Sequence, residues 1–219
     1  MIHREGRAPL LGLAVILLAW TAWAGKRAGG GVPGRVVLAS LGSLSFLAQF
    51  FRFPGCATPG ETDLVVAPAY GRVVHIGLED EPEFMGDRRL RISIFLSVFD
   101  PHLTRAPLAG RIVYRRYHPG RYLVALHPKS STVNERNSIA IEHAPGVTIL
   151  VRQIAGLLAR RICSYVEPGA VVAAGDEIGF IKLGSRVDLF VPDDSTVLVS
   201  NGQYVRAGET PLARLMLGA

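Results

Sequence analysis

The sequence predicts a mainly β protein, β-rich α+β, folded as a flattened antiparallel barrel or sandwich and preceded by apolar N-terminal helices. Three observations carry this. From Leu64 onward, short β-branched stretches alternate with Gly, Pro, Asn and Asp, the pattern of antiparallel strands joined by turns. Near the C-terminus a hairpin-like unit recurs at a constant offset. Before residue 52 lie two apolar runs flanked by basic residues. The chain therefore reads as a membrane-associating segment, 1–55, and a folded domain, 56–219.

The first run is Leu10 to Ala24 and the second Val36 to Phe51, with a basic Gly/Pro-rich turn between them. Each is shorter than the roughly 20 residues of a straight transmembrane helix. Short spans, a re-entrant hairpin and interfacial helices all fit. Trp20, Trp23, Phe50 and Phe51 sit at the run ends, where interfacial aromatics belong. A cleaved signal peptide, with Ala22-Trp23-Ala24 as its site, is one rival; two buried core helices are the other.

Charge supports a lipid partner. Six basic residues up to Arg52 face Glu5 alone, whereas the remaining chain has 18 basic against 17 acidic residues. A nucleic-acid binder would carry its basic patch on the folded domain, so no nucleic-acid partner is expected. Hydrophobic residues at 49% with 19% charged exclude intrinsic disorder. Two cysteines exclude a disulfide framework or a four-ligand zinc site, and no metal is expected.

Within the folded domain, LVVAPAYGRVVHIG, RLRISIFLSVFDPH, GRIVYRRYHPGRYLVAL and GVTILVRQI read as strands and turns. One helix is predicted within Gln153 to Ile162, where Ile154, Leu157, Leu158 and Ile162 fall at helical spacing. The repeat follows: Gly169, Val172, Ala174, Gly175 and Asp176 return as Gly202, Val205, Ala207, Gly208 and Glu209. Two such hairpins can pair to close a small flattened barrel and hide its edges. The unit resembles a biotinyl/lipoyl half-repeat, which would make Lys182 the acylated lysine of a membrane-tethered carrier or adaptor.

The segment Ile178 to Pro192 contains Gly184-Ser185 followed by Arg186-Val187-Asp188 and a short strand ending in Pro192. Alone, a Gly-Ser pair is an ordinary turn. Further pieces are Phe50-Phe51-Arg52, Asn134-Glu135-Arg136-Asn137-Ser138, Gln153-Ile154-Ala155-Gly156 with Ala159-Arg160-Arg161-Ile162, and Ala207-Gly208-Glu209-Thr210. In this order, across essentially the whole chain from about residue 36, they resemble the phosphatidylserine decarboxylase family, specifically its short bacterial and archaeal-like class.

The resemblance implies pyruvoyl chemistry. Decarboxylating an amino acid requires an electron sink that no ordinary side chain supplies. In this family the Ser185 hydroxyl would attack the Gly184 carbonyl, and β-elimination would then split the chain into 1–184 and 185–219. The cofactor would be a covalent pyruvoyl group derived from Ser185, forming a Schiff base with phosphatidylserine and yielding phosphatidylethanolamine and CO2. His102, in Asp100-Pro101-His102-Leu103-Thr104-Arg105-Ala106-Pro107, matches the family's active-site histidine and would be the acid/base. Asp100 would orient its imidazole or cap the turn; the cap is the favoured role. His75, His118, His127 and His143 match no motif and read as structural or surface residues.

One residue departs from the pattern. In Ala67-Pro68-Ala69-Tyr70-Gly71, Tyr70 replaces the family aspartate that helps the histidine activate the serine. A phenol is neutral at pH 7 and supplies no carboxylate charge. The alternative to an active enzyme is thus a processing-deficient, lipid-binding relative. The implied partners are phosphatidylserine, membrane lipid and the two chains of one precursor, with homo-oligomerisation left open and the cell membrane as location.

The apolar runs generate a first prediction. Each buried Leu, Ile, Val, Phe or Trp contributes roughly 1.5–3 kcal/mol, whereas each basic flank adds only about 1 kcal/mol near an anionic surface. The full chain is expected to sediment with membranes and resist high salt, and a chain starting near Pro59 to be markedly more soluble. Complete release by salt would leave only peripheral attachment.

Overall fold

Residues 1–123, 130–144, 146–156, 161–182 and 185–216 are described by the computed structural model. They fall into two units, Met1–Pro54 and Gly55–Ala219. The first is a helical hairpin of α1 (Arg4–Arg27) and α2 (Gly34–Phe50). α1 extends well beyond its apolar run. Its start is capped by His3, whose Nδ1 accepts from the Glu5 N–H at 3.2 Å, and Lys26 and Arg27 lie in the last turn, where they complement the helix dipole.

At 24 residues, α1 is about 36 Å long; α2, at 17 residues, is about 26 Å. The helices run antiparallel. Ile2 bridges Arg52, the His3 N–H donates to the Phe51 carbonyl at 2.8 Å, and the Phe53 N–H donates to that of Met1 at 2.7 Å. Within α1 only Gly6, Ala24 and Gly25 are buried, whereas Leu11, Val15, Ile16 and Leu18, with Leu38, Leu41 and Phe46 of α2, are exposed. That is the reverse of a buried core pair.

The second unit opens with β1 (Leu64–Val66), β2 (Gly71–Glu81), β3 (Asp87–Leu96), β4 (Leu103–Arg105) and β5 (Gly110–His118). A short helix, α3 (Ser130–Val133), precedes β6 (Arg136–Ala144), β7 (Val147–Ala155) and β8 (Ile162–Ser164). The chain ends through β9 (Val171–Val172), β10 (Glu177–Ile181), β11 (Ser185–Val191), β12 (Thr196–Val197), β13 (Tyr204–Val205) and β14 (Pro211–Arg214). An eight-stranded sheet in the order β13-β2-β3-β11-β7-β6-β5-β9 is antiparallel throughout and curls as a half-barrel. Two three-stranded sheets, β1-β14-β12 and β4-β10-β8, complete the unit. The predicted mainly β class is correct.

Two local expectations change. Gln153–Ala155 continue β7 and Ile162 opens β8, so these ends of the predicted helix are strand; Leu157, Leu158 and Ala159-Arg160 lie outside the described residues. β7 is flanked by β6 and β11 and buried on both faces from Ile149 to Ala155. Two-sided burial removes the polar alternation that identifies a strand, and apolar spacing alone then mimics a helix.

The two copies of the C-terminal repeat also do not pair with each other. β9 adds to β5 at one edge of the large sheet and β13 adds to β2 at the other. A second repeat explains this placement. Ala67-Pro68-Ala69-Tyr70-Gly71-Arg72-Val73 returns as Ala106-Pro107-Leu108-Ala109-Gly110-Arg111-Ile112. The copies clasp reciprocally: the Val66 N–H donates to the Pro107 carbonyl and the Arg105 N–H to that of Pro68, each at 2.8 Å. Each then meets one C-terminal copy in the same way, Gly208 N–H to Ala67 and Gly175 N–H to Ala106, again at 2.8 Å. Gly71, at φ +147, is held so close that a Cβ would overlap the Phe95 carbonyl, and one at Gly110 would overlap that of Glu142. The unit is a pseudo-twofold of two interlocked halves, with β11 and β7 at the middle.

Candidate active site

Every residue of β11 is buried, because it pairs with β3 along its whole length and with β7 from Ser185 to Phe190. Val187, Leu189 and Val191 point into the main core. By the two-residue period of a strand, Ser185 shares that face, while Arg186 and Asp188 occupy the other. Ser185 lies between Leu96 and Ala155. It is fully buried, and among the described residues its hydroxyl has no hydrogen-bond partner. Leaving such a group unpaired costs about 1–3 kcal/mol. Gly184 lies outside the described residues.

Leu96 leads into a tight turn. The Asp100 carboxylate accepts from the Ser97 N–H at 2.9 Å and the Ser97 hydroxyl at 2.7 Å, and the Asp100 N–H returns to the Ser97 carbonyl at 3.0 Å. The carboxylate therefore caps the turn. It is instead the Asp100 carbonyl that meets the imidazole, accepting from Nδ1 of His102 at 2.7 Å. A carbonyl only accepts, so Nδ1 carries the proton and Nε2 is the basic nitrogen of the neutral ring. His102 is fully buried, and its carbonyl accepts from the Ile181 N–H at 3.0 Å. The turn after Leu96 and the end of β10 thus bring His102 and Ser185 to the same end of the sheet.

Behind them runs a buried polar row that sequence reading noted only as motif fragments. Asn137 Nδ2 donates to Gln153 Oε1 at 2.9 Å, and Gln153 Nε2 donates to Thr104 Oγ1 at 2.9 Å. Asn134 Nδ2 donates to the Ala155 carbonyl at 2.8 Å, bracing the residue paired with Ser185. A Cβ at Gly179 would meet Gln153 Nε2 and the Cys163 carbonyl, each at 2.6 Å. Only glycine lets β10 come that close to the row.

Tyr70 is buried with Arg105, whose guanidinium donates to the Gly175 carbonyl at 2.6 Å. Burial pushes the phenol above its ordinary pKa, Arg105 partly opposes this, and Glu209 and Cys56 reinforce it. Tyr70 is neutral at pH 7. Lys182 is half-buried at the end of β10, its N–H bonded to the Arg161 carbonyl at 3.1 Å, unlike the exposed hairpin tip a carrier lysine needs. Of the other histidines, His75 pairs with Glu79 at 3.1 Å, His118 with Glu83 at 2.8 Å, and His143 meets the Ala109 carbonyl at 2.8 Å. His127 lies outside the described residues.

The opposite face of β11 carries its anchor. Arg186 Nε pairs with Asp188 Oδ1 at 2.8 Å, and the Ser131 hydroxyl donates to Asp188 Oδ2 at 2.7 Å. Burial alone would raise the Asp188 pKa. Arg186, Arg91 and the Ser131 hydroxyl outweigh it and hold the carboxyl below its ordinary value.

A β domain thus carries a buried serine hydroxyl without a partner among the described residues, and a buried imidazole whose Nδ1 meets a backbone carbonyl. A family model described as phosphatidylserine decarboxylase matches residues 44–213. A phosphatidylserine decarboxylase proenzyme of Amoebophilus asiaticus is 40% identical, covering 98% of this chain and 96% of its own. The proenzyme of Azorhizobium caulinodans is 44% identical over 97% and 88%, and that of Saccharopolyspora erythraea 42% over 98% and 88%. The chain belongs to the phosphatidylserine decarboxylase family, whose members are carboxy-lyases. Membership does not favour the carrier reading of Lys182.

The Asp188 anchor yields a pH prediction. Its folded-state pKa is depressed, so its contribution to stability is complete above the unfolded value near 4 and is lost as pH falls through the folded value. Asp188→Asn leaves Arg186 buried without its counter-charge, a loss of about 3–5 kcal/mol at pH 7. Denaturant unfolding should show that gap narrowing as the solution is acidified below pH 4. A gap independent of pH would refute the anchor's charge.

Proposed function

We propose that the protein is a phosphatidylserine decarboxylase that makes its own pyruvoyl group from Ser185. The observation that carries this reading is the buried Ser185 hydroxyl, without a partner among the described residues, at the head of β11. A pyruvoyl group fits there, because the position sits on a central strand, faces the core and leaves its side-chain oxygen uncommitted. That group would supply the carbonyl that takes up the electron pair left when CO2 departs.

The protein's own residues have three tasks. Nε2 of His102 takes the Ser185 hydroxyl proton, so that the oxygen can add to the Gly184 carbonyl and convert the peptide bond to an ester. Removal of the Ser185 α-proton then expels the Gly184 carboxylate and frees the 185–219 chain with dehydroalanine at its head, which takes up water and loses ammonia to leave the pyruvoyl carbonyl. Pairing of β11 with β3 and β7, together with the Asp188 anchor, keeps that chain in place after the cut. His102 also moves a proton during decarboxylation.

The substrate of this reading is a lipid, and the helical hairpin suits that location. α1 is long and apolar enough to cross a membrane by length and composition, with an 18-residue stretch of mean hydropathy 1.8. At about 36 Å it exceeds a hydrocarbon core of about 30 Å. In this reading the protein acts at the cell membrane, with phosphatidylserine as substrate and phosphatidylethanolamine and CO2 as products.

Intact mass spectrometry tests the mechanism. The mature protein is expected as chains of residues 1–184 and 185–219, the second blocked to Edman sequencing and separating from the first only on denaturation. Ser185→Ala should abolish both cleavage and CO2 release from phosphatidylserine. His102→Ala should slow maturation by roughly 10²–10⁴-fold, the share of a positioned general base. An uncut chain that decarboxylates phosphatidylserine, with activity surviving Ser185→Ala, would overturn the proposal.

Tyr70 is adequate in this reading, as a neutral phenol held by Arg105. Tyr70→Asp should therefore mature within a few-fold of the wild-type rate. A large acceleration would instead identify Tyr70 as a processing defect and favour the lipid-binding relative.

A further inference from the structure

Tyr204 lies beyond Ser185 in the chain, on β13 at the edge of the large sheet. Its hydroxyl nevertheless donates to Asp100 Oδ1 at 2.7 Å, across 104 residues of sequence. Asp100 does two things at once. Its carboxylate collects three donors, two from Ser97 and one from Tyr204, while its carbonyl accepts Nδ1 of His102.

The two Ser97 donors belong to the same turn and move with it. Tyr204 is the one anchor of this carboxylate from outside the turn among the described residues. Pro101 follows Asp100 and restricts its backbone to extended conformations. Pinning the carboxylate therefore also fixes the direction of the carbonyl.

We propose that Tyr204 is a positioning residue, which through Asp100 holds the carbonyl that keeps His102 protonated at Nδ1 and basic at Nε2. This rests on His102 serving as the base for Ser185. It also means that the 185–219 chain carries both the reacting residue and the brace for its base. Maturation and the alignment of His102 would then depend on the same docked segment, and a precursor with an undocked β13 would cut itself more slowly.

Tyr204 is 44% exposed, so Tyr204→Phe deletes the donor while leaving the ring's packing in place. The test uses the full-length chain carrying Ser185→Ala, labelled with ¹⁵N-histidine, with and without Tyr204→Phe. The His102 resonances are identified by their loss in His102→Gln. Maturation is followed in parallel in chains that retain Ser185.

The parent should show His102 protonated at Nδ1, and Tyr204→Phe a mixture of the two tautomers. Maturation should slow by about tenfold, less than the 10²-fold or more that a positioned base supplies, at an unchanged unfolding temperature. An unaltered His102 tautomer in Tyr204→Phe overturns the proposal, whatever the maturation rate. The tautomer is read without cleavage. Failure of the wild type to cut itself would therefore count against the pyruvoyl reading and leave the test of Tyr204 intact.

Discussion

The site depends on one constraint: β11 is paired on both sides while the side chain of its first residue has no partner among the described residues. Two neighbouring strands satisfy its backbone, so the position of Ser185 does not rely on the bond that precedes it. A self-cleaving chain needs this property. If Ser185 stood on a loop, breaking the Gly184–Ser185 bond would release the new end into solvent. At the head of a central strand, the end would be retained by backbone hydrogen bonds on two sides and by a buried ion pair on the reverse face.

That reverse face explains why Arg186 and Asp188 accompany Ser185. A fully buried carboxylate is expensive unless it is paired and hydrogen-bonded. Asp188 is both, through Arg186 on its own strand and Ser131 on α3. The interaction ties the segment before β6 to the strand that begins at Ser185. Most of such a pair's effect lies in specificity of placement, since breaking it is costly whereas replacing it by apolar residues need not be.

The pseudo-twofold gives the same economy on a larger scale. Two Ala-Pro segments clasp each other and each receives one C-terminal turn, so the large sheet gains a covering strand at both edges, β13 and β9. Unpaired edges invite association, and here the repeat covers them. The two halves then diverge in chemistry. Tyr70 stands in one copy beside Arg105, while Ala109 holds the equivalent place in the other.

Much was legible in the sequence because the signals were local. Alternation and turn residues determined the mainly β class, apolar length determined the N-terminal helices, and the order of motif fragments around Gly184-Ser185 and His102 determined the family. Ser185, His102 and Asp100 stand out from these motifs alone. What only the tertiary structure decided is what depends on long-range pairing. The end of β7, Gln153 to Ala155, reads as the start of a helix until its burial between β6 and β11 is known. Repeat copies at a constant offset do not reveal whether they pair together or cap opposite edges. The Asp100 carbonyl rather than its carboxylate meets His102, because the carboxylate is engaged by Ser97 and by Tyr204, a residue 104 positions away. Composition and spacing carry no record of such a contact, since it exists only once both edges of the sheet are in place.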